Sequence, residues 1–304
     1  MPRKHAVADS GERAPAREDA AESRGCLYIV GTPIGNLEDI TLRGLRILKE
    51  VDLIACEDTR HTQKLLNHYN IDKQLVSYHE HNEMTRSPEL LIQMEQGAKI
   101  ALVSDAGMPL VSDPGYRLVT LCVRHKIPIV PVPGPSAILA ALSAAGLPNE
   151  EFLFVGFLPA RGGERRRMLE RLRIEDRTII FYEAPHRVAE SVADMREILG
   201  DRPACIAREV TKLHEEFLRG RLSHLEECLA ERPARGEITL LVGPPEESVS
   251  RQMDSPQSLS DRVDELIRQA KLDRKDALKL AAKERGITRR DAYDQLIESK
   301  SKPN

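Results

Sequence analysis

Five short apolar runs between residues 26 and 132 constrain this chain more than any other feature. Each ends in a polar turn rich in glycine, proline or acidic residues, and each is followed by a segment of helical periodicity. The runs Cys26–Val30, Val51–Ala55, Gln74–Tyr78, Ile100–Val103 and Pro128–Val132 have the length and composition of strands. Leu42–Lys49, Gln63–His68, Pro88–Gln96, Tyr116–His125 and Ser136–Ala145 carry apolar residues at helical spacing. Strand and helix in strict alternation predict a parallel sheet covered by helices. In such open sheets the ligand crevice lies outside the carboxyl ends of the strands. The five polar turns are therefore expected to converge on one site.

A second unit begins near Phe152. Strands are expected at Phe152–Phe157, Thr178–Tyr182, Ala204–Ala207, Glu216–Gly220 and Ile238–Val242, with helices at Glu164–Arg173, Arg187–Leu199 and Leu222–Ala230. The resulting organisation is a tail over 1–24, an N-terminal α/β domain over 25–147 with a parallel sheet, and a smaller α/β domain over 148–245 with a mixed sheet. A Gly/Pro- and Ser/Gln-rich linker over 246–259 and a helical extension over 260–304 follow. Two short helices around Gly286 give that extension a helix-turn-helix shape.

Composition narrows the function classes. Hydrophobic residues make up 41% and charged residues 31% of the 304 residues, the balance of a soluble globular protein. No apolar run approaches the ~20 residues of a membrane span. The first 25 residues are polar and charged, so no secretory signal is expected and the tail reads as disordered. Cys26, Cys56, Cys122, Cys205 and Cys228 form no close pair, which argues for reduced thiols in a cytoplasmic protein and against a zinc site. With a net charge of −3, affinity for nucleic acid must come from a local patch.

The turns themselves are short of cations. "GTPIGN" (Gly31 to Asn36) follows a strand as a phosphate loop does, yet its spacing fits neither common phosphate motif. "SDAGMPLVSDPG" (Ser104 to Gly115) holds two Ser-Asp pairs, and "VPGPSA" (Val132 to Ala137) brackets Gly134 with prolines, a place for an unusual φ. No Lys or Arg occurs within 28–42, 101–116 or 128–145. Rigid backbone without cations suits a ligand held by main-chain groups and small apolar pockets rather than a polyphosphate. Asp113 in "SDPG" serves a turn as readily as a ligand. "HEHNE" (His79 to Glu83) reads as a solvated turn or as part of the site; as a metal site it lacks a third ligand.

These motifs, with "LYIVGTPIGNLEDITLR", "ACEDTRHT", "FYEAPHRV" and "REVTKLHEEFLRG", resemble the tetrapyrrole-methylase-like class of S-adenosylmethionine-dependent methyltransferases. More narrowly, the chain resembles the bacterial small-subunit (16S) ribosomal RNA cytidine 2′-O-methyltransferases, the methyltransferase I family, over about residues 26–245. The resemblance implies a homodimer, S-adenosylmethionine in the cleft between two α/β domains, and a target cytidine in the decoding region of the small ribosomal subunit. It implies cofactor contacts from Pro33, Asp105, Gly107, Pro109, Val111, Ser112, Ser136 and Ala137 in the first domain. Phe157, Tyr182, Ala184 and Thr239 would close the pocket from the second, with Glu183 beside them.

Methylation of a hydroxyl also needs a proton acceptor. Glu57, His81 and Glu183 are the candidates, with nothing in the sequence to choose among them. Arg60 and Arg187 suit phosphate contacts, since guanidinium binds oxyanions bidentately. "RGGERRRMLERLR" adds Arg161, Arg165, Arg166 and Arg167, and Gly162-Gly163 suggests a mobile arm for RNA. The alternative within the class is methylation of a tetrapyrrole-like small molecule, for which an arginine-rich segment and a helical extension have no use. A nucleic-acid-binding regulator that only senses a ligand is the rival from another class.

Overall fold

The computed structural model describes residues 25–245, the helix Arg274–Glu284 and a few helical residues on either side of it. The expected tail over 1–24, the linker over 246–259 and the turn around Gly286 lie outside the described residues. Two five-stranded sheets are present. The first contains β1 (Cys26–Val30), β2 (Leu53–Cys56), β3 (Gln74–Ser77), β4 (Lys99–Val103) and β5 (Ile129–Val132), in the order β3-β2-β4-β1-β5. Every pairing in it is parallel.

The continuous apolar runs have a direct cause, because this sheet is buried on both faces. Leu27, Ile29, Leu53, Ala55, Ile100 and Leu102 face α3 (Glu83–Glu95) and α4 (Tyr116–His125). Val30, Ile54, Cys56, Ala101 and Val103 point the other way, toward α1 (Leu42–Glu50) and α2 (Thr59–His68). Helix starts are capped locally: the Thr41 hydroxyl accepts from Gly44 N at 3.0 Å, and the Asp58 carboxylate from Arg60 N at 2.8 Å.

Helix α3 starts five residues before the sequence suggests. Proline favours the first turn of a helix, and the expected helix begins at Pro88. Instead Asn82 organises the turn: its Oδ1 accepts from His79 N at 2.9 Å and its Nδ2 donates to Ser77 O at 3.1 Å. Pro88 therefore sits inside the helix. "HEHNE" is the turn that leads into it.

The second sheet contains β6 (Phe152–Phe157), β7 (Thr178–Glu183), β8 (Pro203–Arg208), β9 (Glu216–Arg221) and β10 (Ile238–Val242), in the order β6-β7-β10-β8-β9. Only β6 and β7 run parallel, so the sheet is mixed as expected. One face packs on α6 (Gly162–Arg171), α7 (Val188–Leu199) and α8 (Leu222–Glu231) through Leu169, Val192, Met195, Leu225 and Phe181.

The other face is covered from the first unit. Helix α5 (Ala137–Ala145) leaves β5 and lays Ile138, Ala141, Leu142 and Ala145 against Ile180, Cys205, Ala207 and Leu241. Its alanines let the helix lie close to the sheet. Burying Ile138 and Leu142 contributes roughly 1.5–3 kcal/mol each, so α5 joins the two units through a shared core. Among the described residues no helix is long and apolar enough to cross a membrane.

Candidate active site

The turns after β1, β4 and β5 meet, as parallel-sheet geometry requires. Thr32 forms a two-bond bridge with Gly107, N to O at 2.9 Å and O to N at 3.1 Å, and its hydroxyl donates to Ser104 O at 3.0 Å. Gly31 and Gly134 touch backbone to backbone: a Cβ on Gly31 would lie 2.7 Å from the Gly134 Cα. Gly134 has no positive φ, which corrects the expectation of an unusual dihedral there. What it supplies is the absence of a side chain.

The long turn after β4 holds Gly107 at φ +86° and, more unusually, Leu110 at +71° and Ser112 at +67°. Left-handed backbone at non-glycine residues costs roughly 1–3 kcal/mol each and concentrates at functional sites. This turn forms one wall of a cavity of about 570 Å³ between the two sheets. From the first unit Gly107, Val111, Ser112, Ser136 and Ala137 line it; Phe157, Tyr182, Ala184 and Thr239 face them from the second. Pro33, Asp105 and Pro109 are the expected contacts that do not line it. Each has a lining neighbour instead: Ile34, Ala106 and Met108.

Among the described residues no Lys, Arg or His lines the cavity, whereas Asp113, Glu183 and Glu237 do. Asp113 is the residue that sequence reasoning undervalued. Burial, followed by the charge of Glu57, raises its carboxyl to about 6, with a bond to Ser104 working the other way. Glu57 is itself raised, first by burial and then by the charges of Asp105 and Glu80. Burial next to Asp113 and Glu237 pushes the Tyr182 phenol up to about 12. Tyr182 also packs edge-on to Phe154, with ring centroids 5.1 Å apart, and lies 5.5 Å from Phe157. The second Ser-Asp of "SDAGMPLVSDPG" was the available signal, masked by the turn preference of Asp-Pro-Gly.

The other candidates separate. Glu183 is 2% exposed, and both of its oxygens are engaged. Oε1 accepts from Ala184 N at 2.8 Å and pairs with Arg187, and Oε2 accepts from Ser191 Oγ at 2.6 Å. A carboxylate so saturated fixes the turn after β7 and is poorly placed to take a further proton. His81 is exposed and outside the cavity lining, its ring 5.9 Å from that of His79.

The arginines also divide. Arg165 is 5% exposed and bonded to Asp194 at 2.6 Å and Glu190 at 3.3 Å, so it holds α6 on α7 and is withdrawn from any RNA. Arg166 shares Asp194 and pairs with Glu197, and Arg187 is committed to Glu183. Arg60 is exposed and closes on its own Asp58 at 2.8 Å. Arg161, paired with Glu164 at 3.5 Å, and Arg167 remain at the surface, joined by Arg171 and Arg173. Gly162 and Gly163 form the first turn of α6, where an arm was expected.

Comparison with known proteins agrees with this architecture. Residues 26–226 match the family model of tetrapyrrole (corrin/porphyrin) methylases. Ribosomal RNA small subunit methyltransferase I of Halalkalibacterium halodurans is 47% identical over 275 residues, covering 90% of this chain and 95% of that protein. The proteins of the same name from Thermotoga maritima and Escherichia coli O157:H7 are 52% and 44% identical over 218 and 285 residues. These alignments span 72% and 92% of this chain, and 98% of each relative. Among solved structures, uroporphyrin-III C-methyltransferase from Thermus thermophilus complexed with S-adenosyl homocysteine aligns with a TM-score of 0.52 at 22% identity, over 75% of this chain and 100% of that one. Diphthine synthase aligns with a TM-score of 0.58 at 16% identity, over 76% and 95%. These last two likenesses establish the fold. The chain belongs to the tetrapyrrole methylase family, in the group formed by the ribosomal RNA small subunit methyltransferases I.

Proposed function

We propose that this protein uses S-adenosylmethionine to methylate the 2′-hydroxyl of a cytidine in the decoding region of small-subunit (16S) ribosomal RNA. The observation that carries the reading is the cavity between the sheets: its described lining holds no Lys, Arg or His, and includes backbone, small residues, two aromatic rings and three carboxylates. A polyphosphate would find no Lys, Arg or His among the described lining residues. A zwitterion with a net positive sulfonium and an adenosine body fits, because the Asp113 carboxylate and main-chain carbonyls meet its cations. The N-terminal amides of α5 at Ser136 and Ala137 meet its carboxylate. The name shared by the curated relatives supports ribosomal RNA as the methyl acceptor.

On this reading, Gly107, Val111, Ser112, Ser136 and Ala137 hold the cofactor from one side, and Phe157, Tyr182, Ala184 and Thr239 from the other. Pro33, Asp105 and Pro109 shape the layer behind. When bound, the cofactor supplies an electrophilic methyl group. The protein aligns the ribose oxygen with it, and positioning of that kind is worth ~7–11 kcal/mol in favourable systems. Asp113 takes the hydroxyl proton, its carboxyl matched to near-neutral operation. Glu57 does not line the cavity; it stands behind Asp113, and its charge helps keep that carboxyl raised. Glu183 positions the wall after β7, and His81 has no part in the proton transfer.

The exposed Arg161 and Arg167 contact RNA phosphates, with Arg60 joining once it lets go of Asp58. The protein works in the cytoplasm as a homodimer. Its domains run over 25–147 and 148–245. The test is methyl transfer from labelled S-adenosylmethionine to small ribosomal subunits and to naked RNA, followed by mapping of the product. A 2′-O-methylcytidine in the decoding region is expected. Cofactor binding without labelled RNA in either form would overturn the reading in favour of a small-molecule methylase.

A further inference from the structure

The turn between β8 and β9 contributes Val210 to the cavity lining and reaches the first unit beside it. Its residue Lys212 lays its aliphatic stem on Gly35 of the "GTPIGN" turn so closely that a Cβ there would fall 2.3 Å from the lysine Cγ. The ammonium returns to the second unit, bonding Glu209 at 2.9 Å and Glu237 at 3.0 Å. Glu209 in turn lies against Gly236, where a Cβ would fall 2.5 Å from its carboxyl carbon. Its Oε1 also accepts from Glu237 N at 2.9 Å, and its own N donates to Glu237 O at 2.9 Å.

A continuous path of touching groups thus runs from Gly35 through Lys212 and Glu209 to Gly236. Both ends adjoin the cavity lining, at Ile34 on one side and at Gly236 and Glu237 on the other. Glu209 and Thr211 hold φ of +52° and +70°, so the turn is strained to deliver Lys212. The Thr211 hydroxyl is buried without a hydrogen-bond partner. The Lys212 and Glu209 side chains are only 25% and 20% exposed, which shields their pairing from the screening that weakens surface ion pairs.

We infer that Lys212 and Glu209 are positioning residues for the cofactor: together they strap the turn after β1 to the wall of the second unit and so fix the spacing of the two sides of the cavity. The inference rests on the reading of that cavity as the S-adenosylmethionine site. Neither residue touches the reacting atoms. Lys212→Met keeps the stem and removes the ion pairs, whereas Lys212→Arg keeps the charge.

In the full-length protein, calorimetric titration with S-adenosylhomocysteine should show Lys212→Met binding about tenfold more weakly than the parent, the worth of one charge-assisted bond. Lys212→Arg should recover most of that affinity, a rescue that a purely structural defect would not show. Amide hydrogen exchange without ligand should quicken over 31–36 and 235–238 in Lys212→Met. Undiminished affinity in Lys212→Met, or Lys212→Arg as weak as Lys212→Met, overturns the inference. A parent protein that takes up no S-adenosylhomocysteine overturns the cofactor reading instead. Unchanged exchange in Lys212→Met would then overturn the strap itself.

Discussion

Asp113 illustrates how much one side chain can decide. Its ordinary pKa is 3.8, and in the folded protein it stands at about 6. Between those values the folded chain holds a proton that the unfolded chain has released. Stability therefore falls as pH rises through this window, and the penalty is complete above it. Asp113→Asn should melt higher than the parent at pH 8, by on the order of 1–2 kcal/mol after allowance for partial exposure. The difference should vanish near pH 3.5, where both are neutral, and methyl transfer should be abolished. Melting curves at pH 3.5, 6 and 8 check the sign; an Asn variant no more stable at pH 8 would remove the case for a buried, repelled carboxylate. At this scale the sequence was legible where backbone defines the site, as at Gly107, Ser112 and Ser136. It was misleading where a single-residue offset decides which side chain faces inward, so that Ile34 lines the cavity and Pro33 does not. Glu183 reads as reactive in the motif and is saturated in space by Ser191 and Arg187, eight and four residues further along. Lys212 was out of reach, because its partner Gly35 lies in the other unit.

Among the elements, the close crossing of the turns after β1 and β5 makes a sharp prediction. Gly134→Ala would drive a methyl group into the Gly31 backbone at 2.8 Å. Neither backbone can yield cheaply, so the variant should be destabilised by ~1–3 kcal/mol, read from the denaturation midpoint. Gly163→Ala is the contrasting case. Nothing lies within 4 Å of its Cβ and it sits in the first turn of α6, so it should gain up to ~1 kcal/mol from helix propensity. If both variants behaved alike, close approach would not be what Gly134 provides. Strands and most helices could be read because alternation and periodicity are local signals. The allegiance of α5 could not: "AILAALSAA" announces a buried helix without saying which sheet buries it. The start of α3 was missed because Asn82, rather than Pro88, sets it.

For the molecule as a whole, a chain of net charge −3 has to bind a polyanion through one face. Arg167→Glu with Arg171→Glu should weaken RNA binding and flatten its salt dependence, by about 0.7 in log-log slope for each phosphate that is no longer neutralised. S-adenosylhomocysteine affinity should not change. Filter binding across a salt series distinguishes this from Arg165→Ala, which should instead loosen α6 from Asp194 and lower stability. The two-unit plan was legible from the change of pattern near Phe152, yet the order of strands was not, since nothing local records which strands become neighbours. That order has a consequence for biosynthesis. In the second sheet the last strand to leave the ribosome, β10, lies at the centre, between β7 and β8. Until residue 242 has emerged, β6-β7 and β8-β9 are two separate ribbons without a seam. The nascent chain therefore cannot close its second wall early. A product truncated even a few residues before Ile238 would carry most of the lining residues yet lack the strand that hydrogen-bonds the two ribbons, leaving only helix packing to hold them.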